Sequence, residues 1–197
     1  MLTALTPTGA RPEAFAKCVE QMQAQTLKGV RWVIVDDGPE AMPTPHVEGW
    51  QIVHIRPYPL WSPGQNTQHR NMLEGLSLCT GRVAIVEDDD QYADWWLERV
   101  NTWLDDADLV GEAPSLYINI KTGNRKQLHN SRHASLCQTA VKGAGINALL
   151  KACESGAKFI DVELWKMLPG KLYKFAGGVV GIKGYPGRPG IGMGHRL

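Results

Sequence analysis

Several features are missing from this sequence of 197 residues. No apolar run is long enough to span a bilayer, and the first residues lack the apolar region of a secretory signal. The four cysteines are far apart and form no C-x-x-C pair, which argues against a disulfide framework or a zinc site. We therefore expect a soluble, cytoplasmic protein, long enough for one domain with a sizeable core.

Each half of the chain has few charges of one sign. Residues 1–110 carry 8 Lys/Arg and 16 Asp/Glu, a balance of −8, and residues 111–197 carry 13 Lys/Arg and 4 Asp/Glu, a balance of +9. An acidic half beside a basic half suits a phosphate-bearing ligand that lies between them. The alternative is that each half simply has its own solvated, charged surface.

The most informative feature that is present is an apolar segment followed by four acids. Val83–Val86 has the length and composition of a buried strand, and residues 87–90 read Glu-Asp-Asp-Asp. Adjacent carboxylates repel one another unless a cation lies among them, and oxygen ligands select a hard ion such as Mg²⁺ or Mn²⁺. A solvated acidic turn is the alternative, but ligands of open α/β sheets bind at this end of a strand.

Apolar periodicity divides the chain into strands and helices. Strands are predicted at Leu2–Leu5, Val30–Val35, Gln51–Ile55 and Val83–Val86, with residues 6–9 as a turn, and helices at Pro12–Gln25 and about Asn66–Cys79. This alternation predicts an α/β fold with a mainly parallel sheet.

The patterns after residue 90 are less regular. Helices are predicted at Trp95–Leu104 and Ala144–Glu154, a short strand at Asp108–Val110, and a β-hairpin from Tyr117–Ile120 and Arg125–Leu128. Gly177–Gly194 is rich in glycine and is expected to be a mobile loop or tail without a packed element.

Five short segments stand out in chain order: the turn Thr6-Pro7-Thr8 with Arg11, the pair Gln25-Thr26, Val35-Asp36-Asp37-Gly38, the pair Arg70-Asn71, and Thr80-Gly81 before the acids. Taken together, they resemble the family 2 glycosyltransferases with the GT-A fold. Each is weak alone, but five in register are specific, and they cover about the first hundred residues. The resemblance implies a single Rossmann-like GT-A domain with a mixed, mainly parallel sheet, a small β-hairpin acceptor region and a flexible C-terminal tail.

The resemblance also implies which residues bind the donor and the metal. Asp89 matches the acid that coordinates Mn²⁺ or Mg²⁺, while Asp88 and Glu87 would face the nucleotide; Glu87 departs from the usual first Asp. Asp37 is preferred to Asp36 as the acceptor of a nucleobase N–H, although both also suit a turn before Gly38. The other donor contacts implied are Thr6, Thr8, Arg11 and Arg70, the last of which could instead be an exposed helix cation.

A catalytic base is implied by the segment Phe159–Trp165, in which Ile160 replaces the family's Glu. Asp161 then takes the proton from the acceptor hydroxyl, with Glu163 in reserve; the alternative is a helix start that favours acids. His195, on the glycine-rich tail with Lys183, Arg188 and Arg196, is a further metal ligand or an incidental histidine.

These assignments predict a metal-dependent, inverting glycosyltransferase that moves a sugar from a nucleotide sugar, preferably UDP-linked, to an acceptor hydroxyl. Residues 1–110 would form the nucleotide-sugar half, 111–176 the acceptor and catalytic-base half, and 177–197 the mobile segment. The alternatives are a nucleotidyltransferase, which would want a more glycine-rich loop than residues 6–11, and a non-catalytic nucleotide- or carbohydrate-binding module. A glycosidase would need two carboxylates across a cleft and no metal, so the acidic cluster argues against that class of enzyme.

The acceptor is less defined than the donor. Basic residues of the second half suit a polyanion, including nucleic acid with a hydroxylated base, whereas saccharide, lipid-linked sugar and protein acceptors stay open. These basic residues are Lys121, Arg125, Lys126, Arg132, Lys142 and Lys151.

Overall fold

The structure is a computed structural model that describes residues 1–190, and in this range the chain forms two β-sheets and five α-helices. The helices are α1 (Pro12–Gln23), α2 (Gln68–Leu76), α3 (Trp96–Trp103), α4 (Ala144–Glu154) and α5 (Ile160–Met167). The strands are β1 (Leu2–Thr8), β2 (Arg31–Asp36), β3 (Gln51–Ile55), β4 (Arg82–Ile85), β5 (Gln91–Tyr92), β6 (Leu109–Ala113), β7 (Ser115–Asn119), β8 (Arg125–Leu128), β9 (Thr139–Lys142), β10 (Lys171–Lys174) and β11 (Val179–Lys183). None of the helices described combines the length and apolarity needed to cross a membrane.

The main sheet has seven strands in the order β10-β6-β9-β4-β1-β2-β3. Its strands pair in parallel except for β9, which runs antiparallel to both β4 and β6. The predicted α/β fold with a mixed, mainly parallel sheet is therefore confirmed. The parallel arrangement directs the carboxyl ends of β1, β2 and β4 to the same edge of the sheet.

Both faces of the main sheet are covered by helices, which explains the continuous apolar runs of its strands. In β2, Trp32 and Ile34 pack in the cluster that contains the apolar faces of α1 and α3. The alternate residues Val33 and Val35 pack in the second cluster, with apolar residues of α2, α4 and α5. Each helix thus buries one apolar stripe on one face of the sheet.

Strand β1 continues through residues 6–8, so the predicted turn at Thr6-Pro7-Thr8 is wrong. Proline is unfavourable inside a sheet because it has no N–H for the ladder. Leu5 accepts a hydrogen bond from Val86 on the β4 side, and alternate residues point the same way, so Pro7 also faces that side. The β1–β4 pairing ends at Leu5, and the missing N–H of Pro7 therefore costs no ladder bond.

The second sheet has the strand order β5-β11-β7-β8 and contains the predicted hairpin as β7 and β8. Strand β11 lies inside this sheet, antiparallel to β5 and parallel to β7. The expectation that residues 177–194 contain no packed element is therefore wrong for Val179–Lys183. Glycine is required at position 181 of this strand, because a Cβ there would lie 2.3 Å from the ring of Tyr117.

Glu112, a buried acid of β6, ties the connection before β11 to the main sheet. Its Oε1 accepts hydrogen bonds from the backbone N–H groups of Gly177 (3.0 Å) and Gly178 (3.2 Å). Its Oε2 is buried and has no hydrogen-bond partner among residues 1–190. Burial raises the pKa of Glu112 to about 7, against the lowering effect of these hydrogen bonds.

We expect Glu112→Gln to stabilise the protein at alkaline pH. The pKa of Glu112 is raised from 4.5 to about 7 on folding, so its favourable contribution is present below pH 4.5 and is lost as the pH rises through 7. Glutamine keeps the acceptor for the glycine N–H groups and cannot ionise, so the variant should gain about 1–2 kcal/mol of unfolding free energy at pH 8. The gain should shrink towards pH 5.

Urea unfolding followed by tryptophan fluorescence at pH 5 and pH 8 measures this difference. Glu154→Gln, at an exposed glutamate of α4, is the matched control and should show no such pH dependence. A Glu112→Gln variant that is less stable than the wild type at pH 8 would contradict the expectation.

Candidate active site

The candidate site lies at the edge of the main sheet where β1, β2 and β4 end. Asp37 follows β2, residues 86–90 follow β4, and Arg11 follows β1. A cavity of about 150 Å³ opens at this edge. Of the residues predicted from sequence, Arg11, Glu87, Asp89 and Asp161 line it, together with Lys183 and Arg188. The fold thus brings an acid of α5 to the same space as the acids after β4.

Asp88 is held by the segment that follows β1. The hydroxyl of Thr8 donates to Asp88 Oδ2 at 2.7 Å, and Arg11 forms an ion pair with Asp88 Oδ1. A second nitrogen of Arg11, Nη1, lies 3.1 Å from Asp89 Oδ2. Thr8 and Asp88 are buried, so both act here as supports of Arg11 at the cavity wall.

A second cation reaches the acids from the other side. Lys183, the last residue of β11, places its Nζ 3.2 Å from Asp89 Oδ2 and 2.7 Å from Asp90 Oδ1. The backbone N–H of Ile182 also donates to Asp90 Oδ1, at 3.0 Å. Asp89 therefore lies between the guanidinium of Arg11 and the ammonium of Lys183.

Within residues 1–190, Arg11 and Lys183 are the cations in contact with this acidic segment, and the pKa values of three of its acids are still raised. Burial, with Asp90 nearby, raises the pKa of Glu87 to about 8, and burial raises that of Asp88 to about 6 in spite of Arg11. Oδ2 of Asp90 is buried, and the nearby Cys137 thiol opposes the rise that burial causes in the pKa of Asp90. A divalent cation among these carboxylates would favour their ionised forms.

The donor atoms for a cation are mainly carboxylate oxygens. Glu87, Asp90 and Cys137 each place one ligand atom within 4.8 Å of the others. Burial raises the pKa of the Cys137 thiol well above its ordinary value, and a thiol binds metal far less well than a thiolate. Glu87 and Asp89 are the acids of this segment that line the cavity, which suits Mg²⁺ or Mn²⁺. The other predicted ligand, His195, lies outside the described residues.

Asp36 shapes the loop after β2. It is buried and accepts hydrogen bonds from the backbone N–H groups of Gly38 (2.9 Å) and Met42 (2.8 Å). Burial opposes its ionisation, but the His54 ring, with Nε2 3.7 Å from Asp36 Oδ2, and the hydrogen bonds from these N–H groups lower the pKa of Asp36. This is the turn role that the sequence left open for Asp36.

Asp37 is surrounded by donors. Arg70 Nη2 donates to its Oδ2 at 2.9 Å, and the hydroxyl of Thr67 donates to the same oxygen. Arg188 Nη1 donates to the other oxygen, Oδ1, at 2.9 Å. Arg70 therefore pairs with Asp37 and is not simply an exposed helix cation. A nucleobase N–H that reaches Asp37 Oδ1 would have to displace Arg188.

Arg188 is held in place by several contacts. Its Nη2 donates to the hydroxyl of Thr67 at 2.8 Å, and its guanidinium carbon lies 5.6 Å from the ring centroid of Trp61. Its backbone N–H donates to Ala10 O at 3.1 Å. Gly187, with φ +98°, allows this approach, since a Cβ there would lie 1.9 Å from Ala10 O. The segment after β11 thus covers the end of β2.

The side chain of Thr6 lies in the core. Thr6 is fully buried, and its hydroxyl accepts a hydrogen bond from Trp32 Nε1 at 2.9 Å. The Thr6 hydroxyl thus supports the packing of Trp32, and the expected contact of Thr6 with the base stays a prediction for its backbone. The alternation of side chains along β1 explains the direction of this hydroxyl.

Asp161 and Glu163, the two candidate bases, are placed differently by α5. Asp161 lies in the first turn of the helix and lines the cavity. Burial raises its pKa, opposed by a hydrogen bond from the backbone of Val162. Glu163 lies 3.3 Å from Lys166 Nζ in a surface ion pair and is not among the cavity residues described. Of these two acids, Asp161 is thus the one that the structure places at the cavity.

Several cavity residues were not singled out from the sequence. Gln68 Nε2 donates to Glu87 Oε1 at 2.7 Å, and Tyr117 and Ser135 share a hydrogen bond of 2.7 Å beside Lys183. Gln68 lies two residues before Arg70 on α2 and so had a local signal, while Lys183 was named from the sequence only as a cation of the glycine-rich tail. Ser135 had no local signal.

Comparisons with known proteins agree with this architecture. The family model described as Glycosyl transferase family 2 matches residues 3–163. No curated protein matched the sequence. Two solved structures of similar fold are S. aureus TarS 1–349 in complex with UDP-GlcNAc and the mannosyltransferase PcManGT from Pyrobaculum calidifontis in complex with GDP-Man and Mn²⁺.

The likeness to these structures covers nearly the whole chain but shows the fold alone. TarS is 12% identical with a TM-score of 0.63, over 96% of this chain and 59% of that one. PcManGT is 13% identical with a TM-score of 0.62, over 94% of this chain and 57% of that one. This chain thus spans less than two thirds of either. Because the family model matches most of the sequence, the chain belongs to glycosyl transferase family 2, and its fold is GT-A.

Proposed function

We propose that this chain is a metal-dependent, inverting glycosyltransferase that moves a sugar from a nucleotide sugar, preferably UDP-linked, to an acceptor hydroxyl. The observation that carries the proposal is that Asp89 and Asp161 line one cavity although they belong to distant elements. Asp89 is then available to bind the metal that would hold the diphosphate, and Asp161 is available to the acceptor hydroxyl. Family membership supports the reaction class.

The donor side of the cavity suits a nucleotide diphosphate. Arg11 and Lys183 line it with positive charge, and guanidinium groups bind phosphate oxygens bidentately. Two structural relatives were solved with UDP-GlcNAc and with GDP-Man and Mn²⁺, which supports a nucleotide-sugar donor here. Asp37 is our proposed partner of the nucleobase, once Arg188 leaves its Oδ1.

The metal would be held by Asp89, with Glu87 beside it. When bound, a divalent cation neutralises the charge that develops on the leaving diphosphate. Arg11 holds Asp88 and Asp89 in place and so fixes the direction of the cavity-facing carboxylate. A fixed arrangement of charges lowers the barrier because it needs no rearrangement during the reaction.

The acceptor hydroxyl would meet Asp161. An ionised Asp161 accepts the proton of this hydroxyl, whose oxygen then bonds to the anomeric carbon as the bond to the diphosphate breaks. Attack from the side opposite the leaving group inverts the configuration. The raised pKa of Asp161 makes it a better base than an ordinary aspartate.

Turnover of the donor tests the proposal directly. We expect release of UDP from a UDP-sugar in the presence of Mn²⁺, no release with EDTA, and a loss of roughly a hundredfold or more in Asp89→Asn. An assay that detects the released UDP or GDP, run across several UDP- and GDP-sugars, measures this. Binding of nucleotide sugars without any turnover would favour a carbohydrate- or nucleotide-binding module instead.

The choice of base can be tested with a pair of variants on one helix. Asp161→Asn should lower kcat by roughly a hundredfold or more while the Kd for UDP stays close to that of the wild type. Glu163→Gln should have little effect, because Glu163 pairs with Lys166 at the surface. Since the pKa of Asp161 is raised, the acid limb of the wild-type kcat profile should lie above the usual range of an aspartate.

A large loss of kcat in Glu163→Gln and little effect in Asp161→Asn would instead assign the role of catalytic base to Glu163. NMR of the initial product anomer adds a separate check of the stereochemistry, and retention of configuration would contradict the inverting mechanism.

For the acceptor, we propose a polyanion, namely nucleic acid with a hydroxylated base. Exposed basic side chains support this proposal. Lys158 is exposed at the cavity, and Arg125 and Lys126 are exposed on the edge strand β8 of the second sheet. Lys121, in the turn before β8, is exposed as well. Basic side chains along one edge would neutralise backbone phosphates and release their counterions.

Salt dependence distinguishes this acceptor from an uncharged one. Binding of a single-stranded oligonucleotide that contains 5-hydroxymethyluracil should weaken steeply with NaCl, and the double variant Arg125→Gln/Lys126→Gln should reduce the logarithmic slope by about 2. Lys174→Gln, at an exposed lysine of β10, is the control. Fluorescence anisotropy measures both, and binding that is independent of salt would contradict the proposal.

A further inference from the structure

Lys183 places a positive charge where a divalent cation would also be attracted. Its side chain is 6% exposed, and its Nζ contacts both Asp89 Oδ2 and Asp90 Oδ1. Two carboxylate oxygens within 3.2 Å of this nitrogen stabilise the protonated form of the lysine. Lys183 is therefore an ammonium ion in the folded protein.

The sheet itself sets the position of this ammonium. Strand β11 pairs in parallel with β7, with Lys183 opposite Asn119, so the lysine is presented by a hydrogen-bonded strand. The preceding residue, Ile182, donates its backbone N–H to Asp90 Oδ1. The ring centroid of Tyr117 lies 6.0 Å from Lys183 Nζ and closes another side. The strand is thus anchored to the acid cluster by two successive residues.

Arg11 and Lys183 share Asp89 but are not equivalent. Arg11 is also paired with Asp88, and its planar guanidinium is held by both acids. Lys183 is a compact charge on a flexible four-carbon stem, so it can leave Asp89 without moving its backbone. Of the two cations, Lys183 is the one that a metal or a phosphate can displace.

We propose that Lys183 is a resident counter-ion that competes with the divalent cation for Asp89 and Asp90, so that the metal binds tightly only together with a nucleotide diphosphate. An ammonium and a divalent cation at one carboxylate repel each other, whereas phosphate oxygens attract both. The inference rests on the proposed function for the donor and the metal. It adds that Lys183 makes metal binding depend on the donor.

Binding of Mn²⁺ without nucleotide tests this role. The EPR signal of free Mn²⁺, titrated with the full chain, should show that Lys183→Gln binds Mn²⁺ about tenfold or more tightly than the wild type. Lys183→Arg keeps the charge and should bind no more tightly than the wild type. Lys174→Gln, at an exposed lysine of β10, should bind Mn²⁺ as tightly as the wild type. Saturating UDP should narrow the difference between Lys183→Gln and the wild type.

Equal or weaker Mn²⁺ binding by Lys183→Gln would overturn the proposal. If this variant does not fold without metal, Mn²⁺ should restore its near-UV circular dichroism, whereas an equal ionic strength of NaCl should not; failure of Mn²⁺ to do so would also overturn it. The measurement uses neither a sugar nor turnover. Its failure is therefore distinct from a failure to release UDP, which would overturn the proposed function.

Discussion

The contacts of Arg11 and Lys183 with the acids that follow β4, of which Asp88, Asp89 and Asp90 are buried, are the interactions on which the rest of the described structure depends. Arg11 reaches Asp88 from 77 residues earlier in the chain, and Lys183 reaches Asp89 from 94 residues later. Acids cannot be buried at low cost without such partners. The need for partners therefore links the end of β4 to the segment after β1 and to β11, and so joins the two sheets.

A buried acid is also paired with cations from distant segments at the end of β2. Asp37 is buried and meets Arg70 from α2 and Arg188 from the segment after β11. Lys183 and Arg188 are close in sequence, so one short segment supplies a cation to each acidic position of the edge. The chain thus covers this edge of the sheet with its own positive charge, and the diphosphate ligand that we propose would exchange these contacts for others of the same kind.

The arrangement around the cavity is consistent with the two roles that we propose for Asp89 and Asp161. The acids after β4 lie at the carboxyl edge of parallel strands, while Asp161 comes from the start of α5. The antiparallel strand β9 separates β4 from β6, and α4 and α5 follow it in the chain. This topology carries Asp161 back to the edge at which Asp89 lies.

Much of the fold could be predicted from local patterns. The strands around Trp32 and Val53 and all four helices predicted from periodicity are present, with ends shifted by a few residues, because periodicity belongs to the segment itself. The acids at the end of β4 were recognisable for the same reason. The short strands β9 and β10 were not predicted. A segment of four residues with both polar and apolar side chains forms a strand only when a neighbouring strand hydrogen-bonds to its backbone.

The sequence by itself determined the alternation of strands and helices, the position of Asp89 after a buried strand and the family resemblance. Only the tertiary structure decided that Val179–Lys183 is a strand, that Thr6 faces Trp32, and which cation meets which acid. These outcomes depend on contacts between distant segments. Local propensity is weak beside burial and charge compensation, so it could not assign Lys183 to the acids that it neutralises.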